Sequence, residues 1–246
     1  GQRLSGHFAA IQLAPMAGVP LLDQLPVQFP DPRRALPEPD GLLAAGGALT
    51  PNWLVTAYSH GIFPWFNDDA EPIYWWSPSI RGVLVPGNMR ITRSFAKRLR
   101  NHSFKILIDE HFAQVIQGCA QSPRAGQSGT WITPRMQSAY LELFHHGVAH
   151  CVEVWQDDCL VGGLYGIAVG RMFCGESMFS RTTDASKVAF FTLQRELAAA
   201  DYALIDCQMM NPHLATLGVE EMGREEFLML TAENRRLPLD AGAQPW

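Results

Sequence analysis

Three polar residues stand inside segments that otherwise read as strand core: Glu176 in Phe-Cys-Gly-Glu-Ser-Met-Phe-Ser, and Asp206 and Gln208 in Leu-Ile-Asp-Cys-Gln. In an extended strand successive side chains alternate, so Asp206 and Gln208 share one face and Ile205 and Cys207 the other. A carboxylate held in such a place must find hydrogen bonds or a cation. Two readings stay open: a satisfied polar network that pins the sheet, with Lys187 or Arg181 as partner, or a functional centre built on a buried carboxylate.

Other chemistries have less support. GxSxG and GxxxxGK[ST] are absent, and Cys174 and Cys207 sit in apolar strand patterns where a thiol is inert. The five cysteines are odd in number and without a CxxC spacing, which fits neither a disulfide framework nor a zinc ribbon and points to a reducing cytoplasm. His146 and His150 are four apart, but HExxH is absent and no acidic ligand is expected near them, so no metal is expected. Apolar runs are broken well before eighteen residues, which excludes a membrane-spanning helix. The segment 1–15 has no export signal and reads as an expression scar or a tail ahead of Met16.

The elements that must position these residues follow from local signals. Thr50-Pro51 predicts a capped helix over 51–60, closed by Gly61, while residues 20–49 are rich in Pro and Gly and read as coil. Three antiparallel strands are predicted at Val152–Gln156, Leu160–Val169 and Met172–Phe179, joined by turns at Asp157-Asp158 and Gly170-Arg171. A helix capped by Asp184, a buried strand over Ala203–Gln208 and a helix over Gly223–Asn234 complete a mixed sheet with helices packed on it. The class is α+β: a small loop-rich α/β domain over 16–78 and a mixed-sheet domain over 79–246.

Two features suggest a nucleic-acid partner. The chain has a net charge of −5, yet Arg81, Arg90, Arg93, Lys97, Arg98, Arg100 and Lys105 follow one another without an acid among them. A helix over Thr92–Arg100 would place Arg93, Lys97 and Arg100 on one face and Phe95 and Leu99 on the other. A solvated face would mix signs, whereas a uniformly cationic one suits a polyanion. Six aromatic rings lie in the segments Phe63-Pro-Trp-Phe66 and Tyr74-Trp-Trp76, and these either plug a domain junction or form a stacking platform for bases.

The element order resembles the acetyltransferase-type (GNAT) fold, but the Gln/Arg-x-x-Gly-x-Gly/Ala loop that cradles the phosphates of coenzyme A is missing. Gly61-Ile-Phe-Pro-Trp-Phe66, Trp75-Trp-Ser-Pro78, Gly129-Thr-Trp-Ile132, Glu153-Val-Trp155, Val161-Gly-Gly-Leu-Tyr-Gly166, Phe173-Cys-Gly-Glu-Ser-Met-Phe-Ser180, Ala185-Ser-Lys187 and Leu204-Ile-Asp-Cys-Gln208, in that order, are similar to the leucyl/phenylalanyl-tRNA-protein transferase family. The resemblance implies a GNAT-like catalytic domain that needs no cofactor. It implies transfer of leucine or phenylalanine from Leu-tRNA or Phe-tRNA to proteins with an N-terminal Arg or Lys, marking them for N-end rule degradation. By position it implies Asp206, Gln208 and Glu176 as catalytic, with Ser180 beside the reacting groups. Trp65, Trp131 and Tyr140 would surround the terminal adenosine, and Leu164, Phe173, Met178, Phe190 and Ile205 would line the donor side-chain pocket. Arg90, Arg93, Lys97, Arg98 and Arg100 would meet the tRNA backbone. Phe190 stands where the family often has Leu and would tighten that pocket. The expected protein is a cytoplasmic monomer with no membrane partner. Its rivals are a GNAT-fold N-acetyltransferase and a noncatalytic tRNA-binding protein.

Overall fold

A computed structural model describes residues 18–122 and 131–235. The segment 1–15 and the first two residues of Gly129-Thr-Trp-Ile132 lie outside the described residues. In chain order the elements are β1 (Leu21–Leu22), β2 (Leu42–Gly46), α1 (Pro51–Ser59), β3 (Phe63–Pro64), β4 (Tyr74–Trp76), β5 (Ile80–Leu84), α2 (Arg93–Asn101), β6 (Lys105–Ile108), α3 (Phe112–Gln121) and α4 (Pro134–His145). There follow β7 (Ala149–Gln156), β8 (Cys159–Val169), β9 (Met172–Ser180), α5 (Ala185–Ala199), β10 (Leu204–Asp206), α6 (Pro212–Thr216), β11 (Glu220–Gly223) and α7 (Arg224–Asn234).

Helix starts are set by side-chain caps. Thr50, Thr92, Thr133 and Asn211 each accept from a backbone N–H in the first turn, and proline occupies the first helical position of α1, α4 and α6. Asp184 precedes α5 as expected but makes no capping bond. Its carboxylate is drawn instead to Arg98 at 3.3 Å and Lys187 at 3.8 Å. Asp157 and Asp158 both adopt the left-handed conformation, φ 49° and 59°, as a two-residue hairpin turn requires.

The strands form two sheets, ordered β1-β2-β4-β3 and β11-β5-β10-β9-β8-β7-β6. The first corrects the expectation of coil over 20–49, because β2 pairs with the aromatic strand β4. Pro and Gly are frequent there, but long-range pairing overrides that local signal. The helix expected from Gly223 is preceded by strand β11, which pairs antiparallel with β5 and leaves α7 to begin at Arg224.

Besides a smaller core that packs Phe227 and Leu228 of α7 against Val83, Met172 and Leu204, two large cores flank the larger sheet. One packs α5 against Leu164, Phe173, Met178 and Ile205. The other joins α1, α3, α4 and the first sheet to the opposite face, through Tyr58, Trp65, Tyr140, Tyr165, Cys174 and Phe179. The six clustered rings are buried in this second core, so they do fill the junction between the sheets.

Candidate active site

The reaction centre expected from sequence lies where two parallel strands part. β9 and β10 pair over Met172–Cys174 and Leu204–Asp206 only. Past Asp206 the chain stays on its antiparallel neighbour β5, where the carbonyl of Gly82 accepts from Cys207 N at 2.8 Å and Gly82 N donates to the Gln208 carbonyl at 2.9 Å. β9 and the chain beyond β10 diverge there, with Glu176 on β9 and Gln208 in the segment that follows β10.

Alternation along β9 is broken at this point. Phe173 and Met178, five apart, both face α5, while Cys174 and Phe179, also five apart, both face the other core. An odd spacing on one face requires an inserted residue. The β8 register supplies it: Gly166 pairs with Gly175 and Tyr165 with Ser177, leaving Glu176 as the bulge. A bulge re-aims a side chain, and Glu176 is turned toward α1 and Gln208. Gly166 makes this possible, since a Cβ there would lie 2.3 Å from the Cys174 carbonyl.

The hydrogen bonds of the centre have one direction. Gln208 Nε2 donates to Glu176 Oε1 at 2.9 Å, and Tyr58 Oη donates to the same oxygen at 2.5 Å. Because the Tyr58 proton is committed to the carboxylate, Tyr140, whose hydroxyl touches that of Tyr58, is the donor in their mutual bond. The carboxylate also settles the Gln208 amide: its NH₂ must point to Glu176, so Oε1 is buried and accepts no hydrogen bond among the described residues. Gln208 has φ 63°, and a non-glycine residue in that region stores strain on the order of 1 kcal/mol or more. Gly82 and Asp206, whose Oδ1 accepts from Gln208 N at 2.8 Å, hold it there.

Asp206 and Gln208 do lie on one side, with Ile205 and Cys207 in the opposite core, although β10 ends at Asp206. The cation beside Asp206 is neither Lys187 nor Arg181. It is Arg81, with Nη2 3.5 Å from Oδ2. Burial, together with the negative charges of Asp206 and Glu176, pushes the Cys174 thiol far up despite Arg81. Burial and then the Asp206 charge do the same for Cys207. Neither supplies a thiolate. Tyr58 is raised well above its ordinary value by burial and then by Glu176, and keeps its proton.

The structure brings the expected pocket residues together: Leu164, Phe173, Met178, Phe190 and Ile205 are all fully buried in one cluster. Trp65, Trp131 and Tyr140 are buried in the other core, with Trp65 edge-on to Trp76 at 5.9 Å. Ser180 is exposed and serves the start of α5, donating to the Thr182 carbonyl at 2.8 Å and accepting from Ser186 N at 3.1 Å. Of the basic set, Arg90, Arg93, Lys97 and Arg100 are exposed. Arg98 is neutralised by Asp184, and Arg81 is buried and removed from that face. The expectation that no acid lies near His150 fails, since its Nδ1 is 2.7 Å from Asp109 Oδ2. Asp109 is 41 residues away in sequence and is brought there by β6 pairing with β7.

Sequence reasoning missed Arg81 and Tyr58. Arg81 carried a signal: it stands in the strand pattern Ile-Arg-Gly-Val-Leu, as costly there as the buried acid it matches. Tyr58 carried a weaker one, as an aromatic on the apolar side of α1.

A profile of the "Leucyl/phenylalanyl-tRNA protein transferase" family matches residues 83–232, and one for the N-terminal domain of the same family matches residues 47–79. Two relatives bear the name leucyl/phenylalanyl-tRNA--protein transferase. One, from Shewanella pealeana, is 55% identical over 207 residues, 84% of this chain and 87% of its own length. The other, from Azoarcus sp. (strain BH72), is 56% identical over 209 residues, 85% of this chain and 88% of its own.

Proposed function

Because this chain belongs to the leucyl/phenylalanyl-tRNA protein transferase family, we propose that it transfers leucine or phenylalanine from aminoacyl-tRNA to the N-terminal Arg or Lys of acceptor proteins, using Gln208, Glu176 and Asp206. It is an aminoacyltransferase. In the reaction the α-amine of the acceptor attacks the ester carbonyl of the donor, an amide bond forms, and the ester C–O bond breaks. The amine proton passes to the departing ribose oxygen. The amine must be neutral, and an α-amino group titrates near pH 8, so orientation matters more than a strong base. Positioning both reactants can account for roughly 7–11 kcal/mol of the barrier.

The observation that carries this reading is the direction of the Gln208 amide. With Nε2 held by Glu176, its Oε1 is a buried acceptor, suited to an N–H of the incoming amine and to turning the lone pair of that amine toward the ester. Glu176 is the anion for the donor's α-ammonium. Asp206 supports Gln208 through the backbone N–H. The resident Arg81 already matches the charge of Asp206, which argues against Asp206 as the receptor for the acceptor's cationic side chain.

Leu164, Phe173, Met178, Phe190 and Ile205 form the apolar lining for the donor side chain. The exposed Arg90, Arg93, Lys97 and Arg100 meet the tRNA backbone. Changing Arg93 and Lys97 together to Glu is expected to weaken tRNA binding by at least tenfold at low salt and to flatten its salt dependence, with the preference between leucine and phenylalanine unchanged. Unmoved affinity in a salt titration would make α2 a solvated face.

No described helix is long and apolar enough to cross a membrane, and the protein is proposed to act as a cytoplasmic monomer. Incubation with labelled Leu-tRNA and a peptide beginning with Arg should add one leucine to the peptide's α-amino group, and no such addition would remove the reading. A GNAT-fold N-acetyltransferase would instead bind coenzyme A, and a noncatalytic tRNA-binding protein would leave the peptide unmodified.

A further inference from the structure

Among the described residues Arg81 is the largest charged side chain sealed inside, only 1% exposed, and its hydrogen bonds, ion pair and ring contacts go to Gly61, Asp206, Phe63 and Phe227. Its guanidinium lies 4.9 Å from the ring centre of Phe63 and 4.4 Å from that of Phe227, so β3 and α7 close over it from different parts of the chain. Nη1 and Nη2 donate to the Gly61 carbonyl at 3.4 and 2.6 Å, and Nη2 is 3.5 Å from Asp206 Oδ2. Gly61 itself is constrained. It has φ 71°, and a Cβ there would come within 2.8 Å of Leu228 and 3.0 Å of Phe227. The carbonyl that anchors Arg81 is thus locked by the close approach of α7.

The next residue completes the arrangement. Gly82 holds the backbone of Cys207 and Gln208 at 2.8 and 2.9 Å. Strand β5 therefore grips the reaction centre twice, through the Gly82 backbone on Gln208 and through the Arg81 side chain on Asp206. Asp206 in turn orients Gln208 N through Oδ1, while its Oδ2 meets Arg81 and the Cys174 thiol, 3.4 Å away.

We propose that Arg81 is a positioning residue for aminoacyl transfer: it fixes the Asp206 carboxylate so that Asp206 holds Gln208 in its left-handed, amine-facing conformation. The inference rests on the transferase reading above. A guanidinium suits the task because one rigid fork serves a carbonyl and a carboxylate while its faces lie on aromatic rings, which a lysine ammonium cannot reproduce. Displacement of a catalytic group by about 1 Å can lower a rate about 100-fold. Arg81 thereby belongs with the chemical step and not with tRNA binding.

A kinetic cycle tests this, using single-turnover leucine transfer to an Arg-initiated peptide with the wild-type, Arg81→Lys, Asp206→Asn and Arg81→Met/Asp206→Asn proteins. If Arg81 acts through Asp206, Arg81→Lys lowers kcat about tenfold with KM for Leu-tRNA within about twofold. The double variant then has kcat within about threefold of Asp206→Asn alone, because the group that transmits the effect is already gone. Arg81→Lys keeps the buried pair charged, so it gives an answer even if the double variant does not fold. Full kcat in Arg81→Lys overturns the proposal. So does undiminished kcat in Asp206→Asn, or a further loss of tenfold or more in the double variant at an unchanged melting temperature. Failure of the wild-type protein to transfer leucine would be a different result, striking at the function and not at Arg81.

Discussion

Replacing Gln208 by alanine is expected to lower kcat for leucine transfer by about 10²–10³, with KM for Leu-tRNA within about twofold, which single-turnover and steady-state rates together would measure. The reason lies in what the amide does at each end. Nε2 is bound to Glu176 and the backbone N to Asp206, so Oε1 has one fixed direction in a buried site. Alanine keeps the backbone anchors at Gly82 but removes the acceptor. Asparagine is one methylene too short to bond Glu176 while presenting oxygen to the same point, so it should recover little. Glutamate would place a second carboxylate against Glu176, and like charges at that distance oppose one another. All three substitutions at a residue remote from the exposed cations of α2 leave tRNA binding intact. A loss confined to KM would mean that Gln208 contributes only to ground-state binding.

Glu176→Ala has the second large effect, and it is double. Glu176 is fully buried and accepts from Gln208 Nε2 and Tyr58 Oη. Its removal leaves both donors facing a cavity, and each bond to a charged group is worth roughly 1.5–3 kcal/mol. At roughly 2–4 °C per kcal/mol for a chain of this length, the loss of both bonds should lower the melting temperature by roughly 6–24 °C. The rate should also fall about 100-fold, because the Gln208 amide is then free to rotate and the donor's α-ammonium loses its anion. Glu176→Gln separates the two effects: it fills the space and restores most of the stability, but carries no charge for the ammonium. A donor esterified through an acid that lacks the α-amino group distinguishes them further. If Glu176 binds the α-ammonium, such a donor is slow with the wild-type protein and loses much less than 100-fold on substitution. An equal loss with both donors would assign Glu176 wholly to holding Gln208.

The sheet and its polar residues were legible in sequence because they follow from period and punctuation. The three antiparallel strands from β7 to β9 carry alternation and two-residue turns, and α1 and α2 carry threonine caps. Glu176, Asp206 and Gln208 stood out because a polar group in a strand core demands a partner. Their partners were less legible, since they arrive from elsewhere in the chain. Arg81 comes from β5, 125 residues before Asp206, and Tyr58 from α1, 118 residues before Glu176. Alternation also could not reveal the bulge at Glu176, which depends on the register of β8. The same limit applies to β2, whose pairing with β4 no local signal announces, and to Asp184, which its position marks as a cap and which is held instead by Arg98 on α2.

The basic face shows how a charge run divides once folded. Arg81 became part of the reaction centre and Arg98 an ion pair, while the other five of the seven cations, Arg90, Arg93, Lys97, Arg100 and Lys105, remained exposed. Counting cations in sequence therefore overstated the face offered to tRNA by two.

A single-turnover measurement with labelled Leu-tRNA and a peptide beginning with Arg, comparing the wild-type protein with Gln208→Ala in buffer free of coenzyme A, tests the role of Gln208 most directly. The predicted result is one leucine added to the peptide's α-amino group by the wild-type protein, at a rate about 10²–10³ above that of the variant. Transfer that is undiminished in Gln208→Ala, or that depends on added coenzyme A, would contradict it.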